Sequence, residues 1–444
     1  MQLLITLAAF TLISFLVFFL FNNHSRESYL IFNAYFLPLM SLGVTPQALG
    51  GLQVFDVLAY FAFFFFIKDF IRTSNGNRVY SYLFIFLMVV LLAGSLHSEF
   101  LSNSLFSILS ILPIFIFSRL LLKELSVNPA LTKKMIRAFQ LSFFIAVFFI
   151  GMQMIEGTQF TFYRELNPNV SDEDDGTRYP GFFMDSQMNS QFLGMLSFLF
   201  LINFKNISKP TFKNYFLFCL VVTSMFFSGG RSGFFGVVVG FCFLLIWYGW
   251  KMRYFFGIAG LAVIGLLPFL KDSFILFRRM NTFDDSYQFR AYIWKEAYDI
   301  FQNHKLLGIG AGNYKNYIDR HSVDQYYVLK DNTILLLDQP ENGYLKILTE
   351  FGAIGFFLSF LLIVIPVIKG IHIHLKTKAN HVAIFSIASI ICFLVSFNSL
   401  YTLSDKRIVT LLTSLICFVI KSSSIPSLTK ENTLFPVLRN PFST

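Results

Sequence analysis

The sequence predicts an all-α polytopic membrane protein, and three observations support this class. Of the 444 residues, 55% are hydrophobic and 18% are aromatic, and the mean hydropathy is +0.63. Apolar stretches of about 20 residues, long enough for a helix to cross the hydrocarbon core, follow one another nearly from end to end. Because a helix satisfies its own backbone hydrogen bonds in lipid, each stretch predicts a spanning helix. A soluble domain of ordinary composition is excluded.

The apolar runs, taken in chain order, predict 13 spans within a range of about 12 to 14. The first run has no basic region and no A-x-A-like cleavage site, so we expect a retained helix rather than a removed signal peptide. All spans belong to one integral-membrane domain, residues 1–444. The predicted spans are 2–21, 29–45, 53–71, 80–97, 103–122, 136–155, 186–204, 212–229, 232–249, 254–270, 342–368, 380–401 and 406–421.

The distribution of charge predicts the orientation. The net charge of +10 comes from lysines and arginines in one set of alternate short loops. This is the positive-inside pattern of membrane proteins, so we expect these loops and the tail 422–444 in the cytoplasm, and no nucleic-acid partner. The basic set comprises Lys68, Arg72, Arg78, Arg119, Lys123, Lys133, Lys134, Arg137, Lys205, Lys209, Lys213, Lys251, Arg253, Lys369, Lys376 and Lys378.

Two long loops are predicted on the outer side. One is the acidic loop 156–185, which contains the run Asp172–Asp175, and the other is the large loop 271–341. Asp285 and Ser286 can cap a helix in the large loop, which therefore should be partly helical. The apolar residues that recur there at helical spacing are Phe289, Ile293, Ala297, Ile300 and Phe301.

Two arginines are candidate anion-binding residues. Arg231 lies in the Ser228–Gly233 turn between two apolar segments, where its guanidinium fork can meet a lipid phosphate. The alternative is an arginine that merely extends to the interface. Arg290 begins the predicted loop helix, and there the alternative is a solvated helix face.

A glycine run, Leu307–Tyr314, follows the predicted loop helix and contains Asn313. It follows no strand and lacks the Lys-Ser/Thr pair of a phosphate-binding loop, so nucleotide binding is not predicted. Of the histidines, His304 and His321 are scattered in the outer loop, which does not make a ligand set. No catalytic metal and no cofactor are predicted.

Carboxylates enter the predicted span that follows the large loop. Glu341 directly precedes Asn342 and Tyr344, and Glu350 lies about two turns inside the predicted span, where an ionisable group is usually paired or functional. The alternative for Glu341 is a carboxylate favoured by the helix dipole. A fourth candidate segment runs from Arg178 to Asn189, before an earlier span.

These four segments resemble the membrane family of O-antigen ligases and Wzy-type polysaccharide polymerases. The shared plan includes an S-x-x-R-S/G-like turn, an R-x-x-x-W sequence, a P/L-L-G-x-G-x-G-N-Y/F run and an H/E-N-x-x-L-x-x-x-x-E-x-G sequence. They correspond here to Arg231, Arg290 with Trp294, the Leu307–Tyr314 run, and Glu341 through Gly352. The Arg178 to Asn189 segment resembles the family's R-x-x-G-x-F…N stretch, so the resemblance covers about residues 178 to 360.

The resemblance implies a GT-C-like, metal-independent glycosyltransferase that uses undecaprenyl-diphosphate-linked oligosaccharides as donor and acceptor at the periplasmic face of the bacterial inner membrane. Arg231 and Arg290 would then stabilise the leaving diphosphate, and Glu341 would activate the acceptor hydroxyl. The implied substrate-binding residues are Arg178, Asn189, Asn313, Asn342, Tyr344 and Glu350. Membrane lipid and a chain-length regulator in the membrane are further candidate partners.

Three functions remain open at this stage. Glu341-Asn342 stands where ligases of the family resemble a His-Asn form, which favours a polymerase that joins repeat units for lipopolysaccharide or another surface polysaccharide. A ligase or protein O-oligosaccharyltransferase of the same family is the second candidate. A flippase or transporter is the third, but it should carry charges near the bilayer midplane and repeated halves, neither of which the sequence indicates.

Overall fold

A computed structural model describes residues 25–45, 51–71, 78–163, 171–172, 176–204, 210–247, 283–321, 326–328, 334–336, 339–377 and 381–422. It confirms the all-α membrane class, since helices make up nearly all of the described regular structure. The helices are α1 Arg26–Tyr35, α2 Val54–Phe65, α3 Ile67–Ile71, α4 Arg78–Leu96, α5 Leu101–Val127, α6 Leu131–Glu156, α7 Ser186–Ser197, α8 Phe212–Ser228, α9 Arg231–Trp247, α10 Phe283–Asn303, α11 Tyr314–His321, α12 Gly343–Thr377, α13 His381–Ser396 and α14 Lys406–Ser422.

Two short antiparallel hairpins accompany the helices in the described loops. They pair β1 Ser171–Asp172 with β2 Gly176–Thr177, and β3 Tyr326–Val328 with β4 Ile334–Leu336. The first lies in the acidic loop and the second in the large loop, so both belong to connections rather than to the helical body.

Four of the described helices are long and apolar enough to cross a membrane: Arg78–Leu96, Leu101–Val127, Leu131–Glu156 and Gly343–Lys376. Four shorter apolar helices accompany them, namely α2, α8, α9 and α13. The predicted spans 2–21 and 254–270, and most of the tail 422–444, lie outside the described residues. The described helices otherwise follow the predicted order.

Three predicted spans form shorter helices than expected, and one of them, 53–71, divides into the twelve-residue α2 and the five-residue α3. Segment 29–45 contains only the last seven residues of the ten-residue α1, which is about 15 Å long, followed by a 3₁₀ turn that contains Pro38. Segment 186–204 contains the twelve-residue α7 and then a 3₁₀ turn at Phe198–Leu201. Nearly all of α7 is buried by protein. An apolar helix enclosed by other helices needs no membrane-spanning length.

Small residues let α9 pack directly on α13. A Cβ atom added to Gly236 would lie 2.6 Å from the Cys392 carbonyl oxygen, and one added to Gly240 would lie 2.7 Å from that of Ala388. Membrane helices commonly use glycine in this way to bring backbones together. The close packing fixes the start of α9, which carries Arg231.

The basic loops meet at one end of the helices, called the basic end. Arg26 binds Asp69 at 2.5 Å and Glu124 at 2.9 Å, and Lys123 binds the same Asp69 at 2.6 Å. This network joins α1, α3 and α5. It agrees with the predicted grouping of positive charge on one side of the bundle.

The opposite end, called the site end, gathers the remaining described connections. It consists of residues 36–45, 51–53, 97–100, 157–163, 176–185, 229–230, 304–313, 339–342 and 397–405. These connections contact one another. The Tyr179 amide donates to the Phe227 carbonyl at 3.3 Å, and Asn342 Nδ2 donates to Asn398 Oδ1 at 3.0 Å. Most of the candidate residues therefore share one end of the molecule.

A buried ionic cluster at this end was not predicted from the sequence. Lys406 Nζ lies 3.0 Å from Asp56 Oδ1, with both side chains at most 1% exposed. Arg407 pairs with Asp405, whose carboxylate also accepts a hydrogen bond from Ser41 at 2.9 Å. The cluster ties the start of α14 to α2 and to the segment between α1 and α2.

Candidate functional site

The centre of the site is an ion pair between Arg290 of α10 and Glu341, which lies two residues before α12. Arg290 Nε donates to Glu341 Oε2 at 3.1 Å, and the two side chains are 21% and 23% exposed. A substrate can therefore reach both groups. Glu341 has φ +44°, the only positive value at a non-glycine residue in the described part of the chain. Strained backbone of this kind concentrates at functional sites.

Helix α10 holds Arg290 in place by burying one face in the large loop. Ile293, Ala297 and Ile300 pack with Tyr314 and Ile318 of α11 in a small core of their own. These residues repeat at helical spacing, which agrees with the predicted amphipathic helix. Arg290 lies one turn before Ile293 and so is presented from a packed helix.

A second pair of charges lies beside Glu341. Arg178 and Asp185 are 2% and 4% exposed, and Asp185 Oδ1 accepts a hydrogen bond from the Gln187 amide at 2.5 Å, which caps α7. Burial raises the pKa of the Asp185 carboxyl, and the negative charge of Glu341 adds to this rise. The positive charge of Arg178 opposes it. The site thus contains two arginines, Arg290 and Arg178, and two acidic residues, Glu341 and Asp185.

Asn189 connects the Arg178 segment to the turn before Arg231. Its Nδ2 donates to Ser228 Oγ at 3.3 Å and to the Tyr179 carbonyl at 3.4 Å. Ser228 Oγ in turn donates to the Ser186 carbonyl at 2.7 Å. In the structure Asn189 therefore positions two candidate segments against each other, and its contact with substrate stays a prediction.

Arg231 is the first residue of α9 and lies partly buried at the site end. The preceding Gly229 ends α8 with φ +69°. Gly230 lies against α7, where an added Cβ would come within 2.9 Å of Ser190 Oγ. These two glycines make the tight turn that was predicted between the apolar segments. The turn puts Arg231 on the same side of the bundle as Arg290 and Glu341.

The glycine run inserts into a break in α12, an arrangement called the glycine clasp and formed by residues 305–314 and 349–354. Gly352 interrupts the helix with φ +66° and ψ −177°. The Ile309 and Gly310 amides donate to the Thr349 and Glu350 carbonyls, both at 3.0 Å. The Ala353 amide donates to the Lys305 carbonyl at 2.8 Å. The loop thus satisfies backbone groups that the break leaves without helical partners.

Glu350 lies about two turns inside α12, as predicted, and two residues before this break, which was not predicted. Its carboxylate accepts hydrogen bonds from the Gly312 amide at 3.0 Å and the Tyr314 amide at 3.2 Å. The charge is therefore held by the glycine run at the start of α11.

Asn313 anchors the glycine clasp to the connection between α4 and α5. Its Nδ2 lies 2.6 Å from both Ser98 Oγ and Ser104 Oγ, and its Oδ1 accepts from Asn103 Nδ2 at 2.8 Å. Asn313 and Glu350 are 0% and 2% exposed. Both side chains support the loop that carries Arg290, whereas direct binding of substrate by them stays a prediction.

Gly352→Ala is expected to lower the free energy of unfolding by about 2–3 kcal/mol. The added Cβ would collide with the Leu306 carbonyl and lie 2.6 Å from the Gly308 amide nitrogen, at a φ that L-residues rarely adopt. Unfolding in mixed detergent–SDS micelles measures the change. Gly151→Ala is the matched control, because a Cβ there meets nothing within 4 Å. Equal stability of both variants and the wild type would show that the clasp does not require Gly352.

Asn342 and Tyr344 complete the described site. Asn342 Oδ1 accepts from the Tyr344 and Leu345 amides at 3.0 and 3.2 Å, which caps the start of α12. Tyr344 Oη donates to the Leu394 carbonyl at 2.6 Å. These bonds fix the backbone directly after Glu341, and a role of either side chain in substrate binding stays a prediction.

The histidines of the large loop have partners within it or in a neighbouring connection. His321 Nε2 lies 2.8 Å from Glu99 Oε2, and His304 Nε2 lies 3.3 Å from Tyr317 Oη. Among the described residues, no three His, Cys, Asp or Glu side chains come together as a candidate metal site. The two histidines instead connect α11 with the α4–α5 turn and with the end of α10.

Arg407 is a supporting residue that sequence reasoning missed. Its Nη1 donates to the Phe182 carbonyl at 2.6 Å, and its guanidinium carbon lies 4.2 Å from the centre of the Phe183 ring. Burial would raise the pKa of Asp405, but the paired Arg407 holds it below its usual value. The sequence did contain a signal for Arg407, because three consecutive charged residues, Asp405, Lys406 and Arg407, stand at the start of an apolar helix.

The fold and the site together define a polytopic helical membrane protein with a charged site at one end of its helices. Residues 216–360 match the family model described as O-antigen ligase, Wzy_C. The match confirms the family resemblance and includes Arg231, Arg290 and Glu341, whereas the Arg178–Asn189 segment lies before it. No curated protein matches the chain.

Proposed function

We propose that this protein is a polymerase of bacterial surface polysaccharide, which joins undecaprenyl-diphosphate-linked repeat units at the periplasmic face of the inner membrane. The observation that carries this proposal is the accessible Arg290–Glu341 pair at 3.1 Å. Both residues lie in the segment that matches the O-antigen ligase family model. The site end would then face the periplasm, and the basic end the cytoplasm.

In the proposed reaction, the donor's diphosphate binds Arg290, with Arg231 as a second cation. The diphosphate displaces Glu341 from Arg290 and leaves that carboxylate free to contact the acceptor. The acceptor hydroxyl oxygen attacks the anomeric carbon of the donor, and its proton passes to Glu341. The bond from the anomeric carbon to the diphosphate oxygen breaks, and the lipid diphosphate leaves with the electron pair.

The reaction depends on cations more than on covalent catalysis, because the leaving group is a polyanion. Arginine forks match phosphate oxygens and stay charged. Asp185 gives the site a second carboxyl group, whose pKa is raised by burial and further by the charge of Glu341. Attack from the face opposite the diphosphate would invert the anomeric configuration.

The Glu341-Asn342 pair favours the polymerase over the ligase, because the ligases resemble a His-Asn form at this position. The description of the matched family model as O-antigen ligase supports the second candidate, a ligase or protein O-oligosaccharyltransferase. A flippase or transporter remains the third. Because all candidates share a lipid-linked glycan, the substrate class does not distinguish them. The products formed in the cell do.

Deletion of the gene tests the polymerase against the ligase. Loss of a polymerase should leave surface lipid capped with a single repeat unit, which gel electrophoresis of lipopolysaccharide resolves as one short band. Loss of a ligase should leave an uncapped core together with polymer of normal length on its carrier lipid. The second pattern would refute the polymerase proposal.

A further inference from the structure

The turn between α13 and α14, residues 397–405, lies directly against the residues that follow Glu341. The Gly343 amide donates to the Phe397 carbonyl at 2.9 Å, and Asn342 Nδ2 donates to Asn398 Oδ1 at 3.0 Å. This turn lies outside residues 216–360. It therefore adds a wall to the site that the matched segment does not supply.

Tight packing holds the first part of this turn on α12. The Phe397 ring covers Gly343, where an added Cβ would lie 2.5 Å from a ring carbon. The Tyr344 ring meets the Phe397 ring edge to face, with centroids 5.2 Å apart. Tyr344 Oη also donates to the Leu394 carbonyl at the end of α13. The turn is thus fixed relative to Glu341.

The far side of the turn is fixed to the Arg178–Asp185 segment. Asp405, the last residue of the turn, pairs with Arg407, which donates to the Phe182 carbonyl at 2.6 Å. Gln53 Nε2 contacts the Ser404 carbonyl at 3.5 Å. The turn therefore bridges the two parts of the chain that bring Glu341 and Asp185 to the site.

The turn presents groups that suit a saccharide. Asn398 is exposed, and its Oδ1 is bound by Asn342, while its Nδ2 donates to no protein group in the described part of the chain. Tyr401 is partly exposed, and Lys346 Nζ lies 4.6 Å from its ring centre. An amide donor and an aromatic ring three residues apart in one turn can bind the hydroxyls and the C–H face of a pyranose, as in polar and aromatic ligand sites generally.

We propose that Asn398 and Tyr401 form a subsite for the acceptor sugar, an inference that rests on the proposed glycosyl transfer. Glu341 contacts Arg290 with its side chain, and its neighbour Asn342 binds the turn. The donor's diphosphate belongs on the Arg290 side, so the sugar that gives its proton to Glu341 belongs on the side of the turn. The turn then selects the acceptor, while the matched segment carries the reaction.

The test uses the purified full chain in lipid nanodiscs with the source organism's lipid-linked repeat unit as donor. The acceptor is the same oligosaccharide, freed from its lipid by mild acid. It keeps its non-reducing end, and its concentration can be varied independently of the donor concentration. Lengthened free oligosaccharide is measured by mass spectrometry. Two variants are compared with the wild type, Asn398→Ala and Asn398→Asp, and the second keeps an oxygen for the Asn342 amide.

We expect both Asn398 variants to raise the KM for the free acceptor about tenfold, with kcat changed by less than about twofold and with an unchanged KM for the donor. Tyr401→Leu should do the same, whereas Tyr401→Phe keeps the ring and should change little. Asn303→Ala is the matched control, because Asn303 is an exposed asparagine at the end of α10. It should behave as wild type.

The outcomes separate the subsite from the proposed function. An unchanged acceptor KM in the Asn398 variants, or an equal rise in the donor KM, would overturn the subsite while leaving the transfer reaction intact. The same holds if the wild type joins lipid-linked units but does not lengthen the free oligosaccharide. A wild type that transfers to neither acceptor would overturn both proposals.

Discussion

Glu341→Gln is expected to abolish polymer in a strain that lacks the chromosomal copy, while the variant still inserts into the membrane at the wild-type level. Glutamine keeps the shape and can still accept a hydrogen bond from Arg290, but it cannot take a proton from the acceptor hydroxyl. Loss of a general base typically lowers rates by about 10²–10⁴-fold. Polysaccharide gels and membrane immunoblots provide the two measurements.

Arg290→Ala should have an effect of the same order, because the leaving diphosphate loses its partner. Arg290→Lys should retain part of the activity, since lysine supplies a charge without the guanidinium fork. Arg320→Ala is the matched control. Arg320 is a 60% exposed arginine of α11 that pairs with Glu99 at 3.5 Å. Polymer of normal length and amount in both Glu341→Gln and Arg290→Ala would show that the assigned roles are wrong.

Asp56→Ala is expected to destabilise the protein by about 3–5 kcal/mol, the cost of leaving one partner of a buried ion pair alone. Lys406 is 1% exposed and would lose the carboxylate that lies 3.0 Å away. Its remaining described contacts, at 2.5 and 2.7 Å, are to the carbonyl and hydroxyl of Ser110. Reversible unfolding in mixed detergent–SDS micelles measures the loss.

The double variant Asp56→Ala/Lys406→Met should recover most of this loss, because it removes both charges and fills the space with an apolar side chain. Lys134→Met is the control for a surface pair. Lys134 is 53% exposed and binds Glu27 at 2.5 Å, so its removal should cost less than about 1 kcal/mol. A double variant as unstable as Asp56→Ala would show that the pair's charges are not the cause.

The long helices were predictable from the sequence because a helix that crosses lipid needs apolar side chains along its length. Helices α4, α5, α6 and α12 follow apolar runs of about 18 residues or more, the length expected of a helix that crosses the hydrocarbon core. Helix α7 obeys a different rule, since protein surrounds it, and hydropathy alone does not distinguish a buried helix from a spanning one. The length of α7 therefore depends on its packing within the protein, which hydropathy does not predict.

The residues of the site were less predictable than the helices, because their contacts join distant parts of the chain. The motifs named Arg290 and Glu341 as candidates, but these residues are 51 positions apart in the sequence, which does not determine the distance between them. Glu350 lies within the candidate span Gly343–Lys376, as expected, but the break at Gly352 that follows it was not predicted. Arg407 contacts a carbonyl 225 residues away, which no local pattern indicates.

The anchoring of Asn313 limits how this protein can be recombined with its relatives. Residues 216–360 contain the glycine clasp, but the clasp is fastened to Ser98 and Ser104, which lie outside that segment. A chimera that transplants residues 216–360 alone would place the loop on a foreign surface. A functional chimera should therefore also need residues 98–104 and 397–405. The part that must be exchanged is a set of contacting surfaces, not one continuous segment of the chain.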